Sequence, residues 1–235
     1  IDAVMEVLYS IFNRGYSLSD KEAYIRADLC DEAIRLTSLL LNGSRDFPSS
    51  HSVSALLALM LLHSSRLPAR IDSSNSLVLL ADQDRSRWDN SRIREGLRLL
   101  RQSVGGGKLS VYHLEAQIAG AHAVAKDYQS TDWELIVALY DQLYKMTCNP
   151  VIGLNRAVAL AEAKGFQAGL DAIHELQAGD RLSNYYLYFA ALADLHRRAG
   201  NNSLAFENYS LALPLVSNEL EMAFILKRLE EISAS

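Results

Sequence analysis

Asp82-Gln83-Asp84-Arg85-Ser86-Arg87-Trp88-Asp89 is the densest run of charged and aromatic side chains in the chain. An Asp-x-Asp pair can open a calcium loop, but no glycine or distal glutamate follows at the spacing such a loop needs. A structural use fits these residue types better, because carboxylates and guanidinium groups around a large indole can hold two elements together by charge-assisted pairs. Asp82, Asp84, Arg85 and Trp88 are therefore read as a polar cluster that locks a local hairpin onto the helix after it. A partner-binding surface is the competing use.

The segment that follows carries Arg87, Arg94, Arg98 and Arg101, spaced 7, 4 and 3 apart, which puts them on one face of a helix. Ile93, Leu97 and Leu100 mark the adjacent, inward face. From Asp84 to Arg101 six arginines stand against three acids, a basic patch in an acidic chain. Such a face is either solvated or docks an acidic protein surface; phosphates enter only where nucleic acid lies close.

Nothing comparable points to catalysis. None of the six histidines (His51, His63, His113, His122, His174, His196) forms an H-E-x-x-H or another metal pair with matching acids. His113 and His122 are nine apart on one helix and face opposite ways. No G-x-S-x-G, P-loop or G-x-G-x-x-G occurs, and Gly105-Gly106-Gly107 lacks the flanking strand and Lys-Ser/Thr of a phosphate loop. The expectation is a protein that is not an enzyme and has no catalytic, cofactor-binding or metal site.

Composition sets the frame around these residues. The chain of 235 residues can bury a substantial core as one large or two small helical domains. Its net charge of −5 argues against direct nucleic-acid binding by the chain as a whole. Cys30 and Cys148, far apart and without metal spacing, read as reduced core thiols of a cytoplasmic protein. The longest unbroken apolar run, Ala55 to Leu62, is eight residues, too short to cross a bilayer, and no signal peptide opens the chain.

Almost everything has helical period. A stripe of Val4, Leu8, Ile11 and Phe12 predicts a first helix over 2–13. A Ser19/Glu22 capping box opens a second, 20–41, with the stripe Leu29, Ala33, Leu36, Leu40 and an Asn42-Gly43 stop. A third, 49–65, follows Pro48 and is apolar on all sides, so it is predicted to be the centre of the N-terminal half. Residues 69–72 and 77–80, around a Ser73-Ser74-Asn75 turn, read as a small β-hairpin. Ser86 is read as the cap of a helix over 87–104, and Gly105-Gly106-Gly107 as a soft boundary. Helices follow at 110–126 and, behind a Thr131/Glu134 capping box, 131–146; a last one, capped by Asn218, covers 219–233.

Between them lies a repeat. Gly165 and Gly200 are 35 residues apart, each at a turn between two helical segments. Around Gly200 the residues take the places of a tetratricopeptide (TPR) hairpin: Tyr186, Phe189, Leu192 and Ala193 on the first helix, Ala205, Tyr209 and Ala212 on the second. Around Gly165 the fit is poorer, since Leu170 and Gln177 stand where small residues belong and the register can slip by one. First helices line the concave face of such an array, so Asn155 and Glu162, with Asp194, Arg197 and Arg198, are expected to face a partner there or merely solvate it. The fold class is all-α, a helix-hairpin, TPR-like solenoid of about eleven helices with one small β-hairpin near 69–80. Two subdomains, 1–104 and 105–235, are expected to pack as one unit.

Taken in order, VLYSIFNRGYS (7–17), RADLCDEAIRL (26–36), LLALMLLH (56–63), LVLLADQDRSRWD (77–89), Thr131-Asp132-Trp133, LNRAVAL (154–160) and the final repeat carry a resemblance. Over essentially the whole chain they are similar to the C-terminal, TPR-containing extension of a group of bacterial extracytoplasmic-function sigma factors. Ala81, Arg14 and Ser64-Ser65 depart from the family pattern. The resemblance implies a regulatory module of a transcription initiation factor. Its partners would be the sigma regions of the same parent chain, the RNA polymerase core, or a regulatory protein, with no direct nucleic acid and no membrane. Neither promoter-reading region is visible in 1–235, and the chain opens in mid-helix at Ile1, which points to a fragment of a longer protein. A free-standing TPR scaffold is the alternative from a second class. An enzyme or small-ligand sensor, with a pocket between the N-terminal helical half and the repeats framed by the 49–65 helix and the hairpin, is the third.

Overall fold

The computed structural model describes residues 1–17, 25–44, 49–104, 109–176 and 181–234. Eleven α-helices occur among them, and two compact units, Ile1–Thr131 and Asp132–Ser235, divide the chain. The division falls at 131/132 rather than at 104/105, because the helix after the triple glycine packs back on the first unit. Gly105-Gly106-Gly107, Ser19, Glu22, Pro48 and Gln177 lie outside the described residues.

The first unit is built around one helix. Helix α3 (Ser50–Ser64) buries Val53 through Met60 without a break and is surrounded by α1 (Asp2–Tyr16), α2 (Ala27–Gly43), α4 (Asn90–Ser103) and α5 (Val111–Val124). By length and a mean hydropathy of 1.2, Ser50–Ala69 could cross a bilayer, yet 72% of that stretch is buried inside the unit, as a core helix would be. Around it the stripes hold at Leu8, Phe12 and Ala33, while Met5, Cys30 and Thr37 are buried where Val4, Leu29 and Leu36 were expected. Helix α1 buries Met5, Leu8, Phe12 and Gly15 and leaves Val4 exposed; α2 buries Cys30, Ala33 and Thr37.

The expected β-hairpin does not form. A single antiparallel bridge joins Ile71 and Leu77, and no strand occurs among the described residues. Asp72 Oδ1 accepts from the backbone of Ser74 and Ser76, both at 2.8 Å, and Asn75 takes φ 59°. That turn spends the chain's extended residues on one tight loop, and a 3-10 turn at Leu80–Asp82 ends the pairing.

The second unit stacks α6 (Trp133–Thr147), α7 (Pro150–Lys164), α8 (Phe166–Glu175), α9 (Tyr186–Arg198), α10 (Asn202–Ala212) and α11 (Glu219–Ser233), each against the next. The places read from Gly200 hold: Ala193, Ala205, Tyr209 and Ala212 are all 1% exposed or less, with Tyr186 and Phe189 packed on them. Both turn glycines have positive φ, +97° at Gly165 and +82° at Gly200, where a side chain would be strained. The slip in the other hairpin has a simple cause. Helix α10 begins two residues after Gly200, whereas α8 begins directly after Gly165, so the small residue at the fourth helical position is Gly169, not Leu170. A Cβ on Gly169 would stand 2.6 Å from Ala161 Cβ and 2.9 Å from Ala157 O.

Caps also moved. Asp132, not Thr131, caps α6 by accepting from Leu135 N at 2.9 Å, while Asn218 caps α11 as read, accepting from Leu220 N at 2.9 Å. Cys30 is a buried core thiol whose pKa burial pushes up to about 11. Cys148 is no core thiol: it is exposed, at the left-handed C-cap of α6 (φ 48°).

Gly169→Ala should destabilise the second unit by about 1–3 kcal/mol, since its methyl must displace backbone. Gly43→Ala, with open space around its Cβ, should be neutral or slightly stabilising. Urea melts followed by circular dichroism separate the two; equal midpoints would contradict the close approach of α7 and α8.

Candidate functional site

The polar run at 82–89 builds a node, by a chemistry other than the one anticipated. Among the described residues the run's one arginine–carboxylate pair is Arg92 with Asp89 at 3.4 Å, which lies at the start of the next helix and does not join it to the hairpin. Arg85 Nη1 donates to the carbonyls of His122 (2.5 Å) and Ala125 (2.8 Å), and Nη2 to Thr131 Oγ1 at 3.4 Å, so one guanidinium caps the C-terminus of α5. Helix ends leave carbonyls unpaired and slightly negative, which is where a cation is most useful. The same guanidinium lies 4.8 Å from the centroid of the Trp88 ring, and Trp88 is 4% exposed. Asp84 caps the Arg85–Arg87 turn by accepting from Ser86 N at 2.9 Å, and Asp82 is exposed. Asp89 caps α4 by accepting from Ser91 N at 2.8 Å, and its own N–H donates to Ser65 O at 2.9 Å.

Because Asp89 is the cap, α4 starts at Asn90 and the arginine stripe is shorter than expected. Arg94, Arg98 and Arg101 share the helix; Arg87 sits on the preceding 3-10 turn instead. All four are exposed. Arg98 is engaged, donating twice to Glu95 (2.8 and 2.6 Å) and once to Gln102 (2.7 Å). Arg87, Arg94 and Arg101 form no ion pair among the described residues. Ser50, His51, Ser54, Arg98 and Gln102 line an open cavity of about 390 Å³ beside this face.

On the repeats, the charged residues are spent on one another. Arg197 Nη2 pairs with Asp194 at 2.7 Å; Arg198 pairs with Glu162 at 2.5 Å and lies 4.5 Å from the Phe166 centroid. The Arg198–Glu162 pair clamps α7 to α9, while Arg197–Asp194 lies within α9. Asn155 is different: exposed on α7, it makes no side-chain hydrogen bond among the described residues.

Sequence reasoning missed the groups that gather next to the node. Arg66 Nη2 donates to Tyr16 Oη at 2.5 Å, and its guanidinium lies 5.9 Å from the Trp88 centroid. Arg70 stacks 4.2 Å from the Tyr16 ring and donates to Tyr16 O; the His63 ring lies against the same ring, tilted, with centroids 5.2 Å apart. The partners are about fifty residues apart, so no local pattern links them. Burial raises the Tyr16 phenol, but Arg66 and Arg70 outweigh it and leave the pKa below its ordinary value. Burial, then Arg66 and Arg70, hold His63 at about 3; burial, then Arg66 and Arg85, do the same for His122. Two turns before Tyr16 on α1, Tyr9 Oη donates to Glu115 Oε2 at 2.8 Å, joining α1 to α5.

The geometry defines an all-α, helical-hairpin protein with a TPR-type pair at its C-terminal end and an arginine-rich node in its first unit. Residues 1–104 match a family described as "Family of unknown function (DUF6596)". Over 232 residues, 99% of this chain, the sequence is 38% identical to "Uncharacterized protein R00370" of Rhizobium meliloti (strain 1021). The aligned part is 54% of that protein, so the chain spans about half the length of the curated relative it matches.

Two outcomes follow. Arg85→Lys keeps the charge but loses the fork that serves two carbonyls, and should cost about 1–3 kcal/mol with altered Trp88 fluorescence. An unchanged melt and spectrum would remove Arg85 from the node. The two depressed histidines set a pH dependence. The unfolded chain takes up protons near the ordinary value of 6.5, which the folded chain refuses until about 3, so stability falls as pH drops below 6.5. Urea midpoints at pH 7 and pH 5 should show it, and His63→Gln should lessen the slope; a slope unaffected by that change would sink the assignment.

Proposed function

We propose that the chain is the regulatory, protein-interacting module of an RNA polymerase sigma factor of the extracytoplasmic-function group, modulating transcription initiation by contact rather than catalysis. The resemblance supplies the sigma-factor part. What supports contact as the mode of action is the outer face of α4, where Arg94 and Arg101 stand exposed with no ion pair among the described residues. In a chain of net charge −5 such cations fit an acidic protein surface better than a nucleic-acid backbone. The docking partner is the polymerase core or the sigma regions of the parent protein, with a separate regulatory protein as the third candidate. A cytoplasmic location follows from that role. Asn155, exposed on a TPR-type first helix, favours a second reading, a scaffold that holds a peptide by paired amide bonds.

Purified core polymerase and the parent's sigma regions, each passed over the immobilised chain, test the proposal. Retention should weaken with salt, and Arg94→Glu with Arg101→Glu should abolish it while leaving the circular dichroism melt intact. Arg98→Glu alone should matter less, because Arg98 is already held by Glu95 and Gln102. Retention of neither partner, alongside a peptide whose binding Asn155→Ala weakens, would replace the sigma-factor role with the scaffold.

A further inference from the structure

In the first unit two hydrogen-bond donors that gather at Trp88 have no acceptor. Arg66 and Arg85 both lie on the indole, at 5.9 and 4.8 Å from its centroid, and neither forms an ion pair among the described residues. Two donors in this cluster are buried without any acceptor: Arg66 Nε and Trp88 Nε1, on an indole that is 4% exposed. Neither nitrogen can accept, so no change of tautomer or amide flip satisfies them. A donor left unmade in a buried site costs free energy that a ligand acceptor would recover.

The surroundings are cationic as well. Arg70 lies on Tyr16, and Tyr16 in turn takes the Arg66 hydrogen bond. Asp127, the acid that acts on Arg85 through space, spends its carboxylate on Ser130 N at 2.8 Å. The three guanidinium groups are half-buried rather than sealed, which leaves the cluster an edge to solvent. His63 adds a buried ring nitrogen, Nδ1, that has no partner.

We propose that Arg66, Arg85 and Trp88, with Tyr16 and Arg70 behind them, form a binding site for the oxyanion group of a small soluble ligand, a phosphate or a carboxylate. Only an acceptor-rich anion answers both needs of the site: it takes up hydrogen bonds from groups that can only donate, and it neutralises cations held in a low-dielectric surrounding. Arg85 is already committed to the end of α5 through His122 O and Ala125 O, so an anion drawn to the cluster would couple to the packing of that helix. The site is independent of the sigma-factor reading: an anion binder that docks nowhere, and a docking module without anion affinity, are separable results.

The chain has two tryptophans, so Trp133→Phe leaves Trp88 as the sole indole reporter. Inorganic phosphate and, in a separate arm, succinate are titrated against sodium chloride at matched ionic strength. Phosphate or succinate should give a saturable change in Trp88 fluorescence and a raised unfolding midpoint, the tighter of the two naming the oxyanion class. Arg66→Gln should weaken that binding about tenfold or more, and Arg94→Gln, on the exposed face of α4, should leave it unchanged. Should Arg66→Gln fail to fold, Arg66→Lys takes its place, since the lost fork still weakens binding. Phosphate and succinate curves that superimpose on chloride, or an Arg66 variant that binds like the parent, would overturn the site.

Discussion

A helix apolar on every side has no face to give to water, and α3 imposes that constraint on the whole first unit. Four helices must close around it, and the positions of α1, α2, α4 and α5 follow from that demand more than from their own preferences. This is why the buried seams of α1 and α2 keep Leu8, Phe12 and Ala33 but depart by one residue at other positions of the stripes. An amphipathic stripe marks a broad arc; the neighbour decides which residue lies at its centre. Met5 and Cys30 are buried there, while Leu29 is left half-buried and Val4 exposed.

Arginine is used here mainly for its shape. Arg85 serves two carbonyls and an indole, Arg66 a phenol and the same indole, Arg70 a phenol ring and a carbonyl. A planar fork can donate along its edge and stack along its face at once, which an ammonium cannot do. Some arginines meet carboxylates one helical turn away on the same helix, half-exposed, as at Arg98–Glu95 and Arg197–Asp194, and these pairs contribute little to stability. Arg92–Asp31, Arg156–Asp141 and Arg198–Glu162 instead join different helices. The consequence for the surface is selective: the cations left over for a partner are fewer than a count of arginines suggests.

What could be read from the sequence was whatever repeats within a turn or two of helix. The all-α class, the central place of α3, the Asn218 cap and the Ala193–Ala205–Tyr209–Ala212 core all rest on local spacing, and all stand. The β-hairpin failed because extended residues flanking a turn signal a bridge as readily as a ladder, and Asp72 tightened the loop at the expense of pairing. The Arg85 clamp could not be read, because its acceptors are backbone atoms 37 and 40 residues away, and carbonyls leave no mark in a sequence. The cluster around Tyr16 was invisible for the same reason. The residues 82–89 announced a node, but not what it would hold.

The bond between Tyr9 and Glu115 spans 106 residues, nearly the full length of the first unit. Its partners therefore meet late in the life of the chain. As synthesis proceeds, α1 can settle on α2 and α3, but the phenol of Tyr9 keeps its hydroxyl to water until α5 has left the ribosome and returned. Closing so long a loop carries an entropic cost that local helix pairing does not, and it falls at the end of assembly rather than the beginning. Helix α1, made before α2 to α5, is thus among the last elements of this unit to be finished.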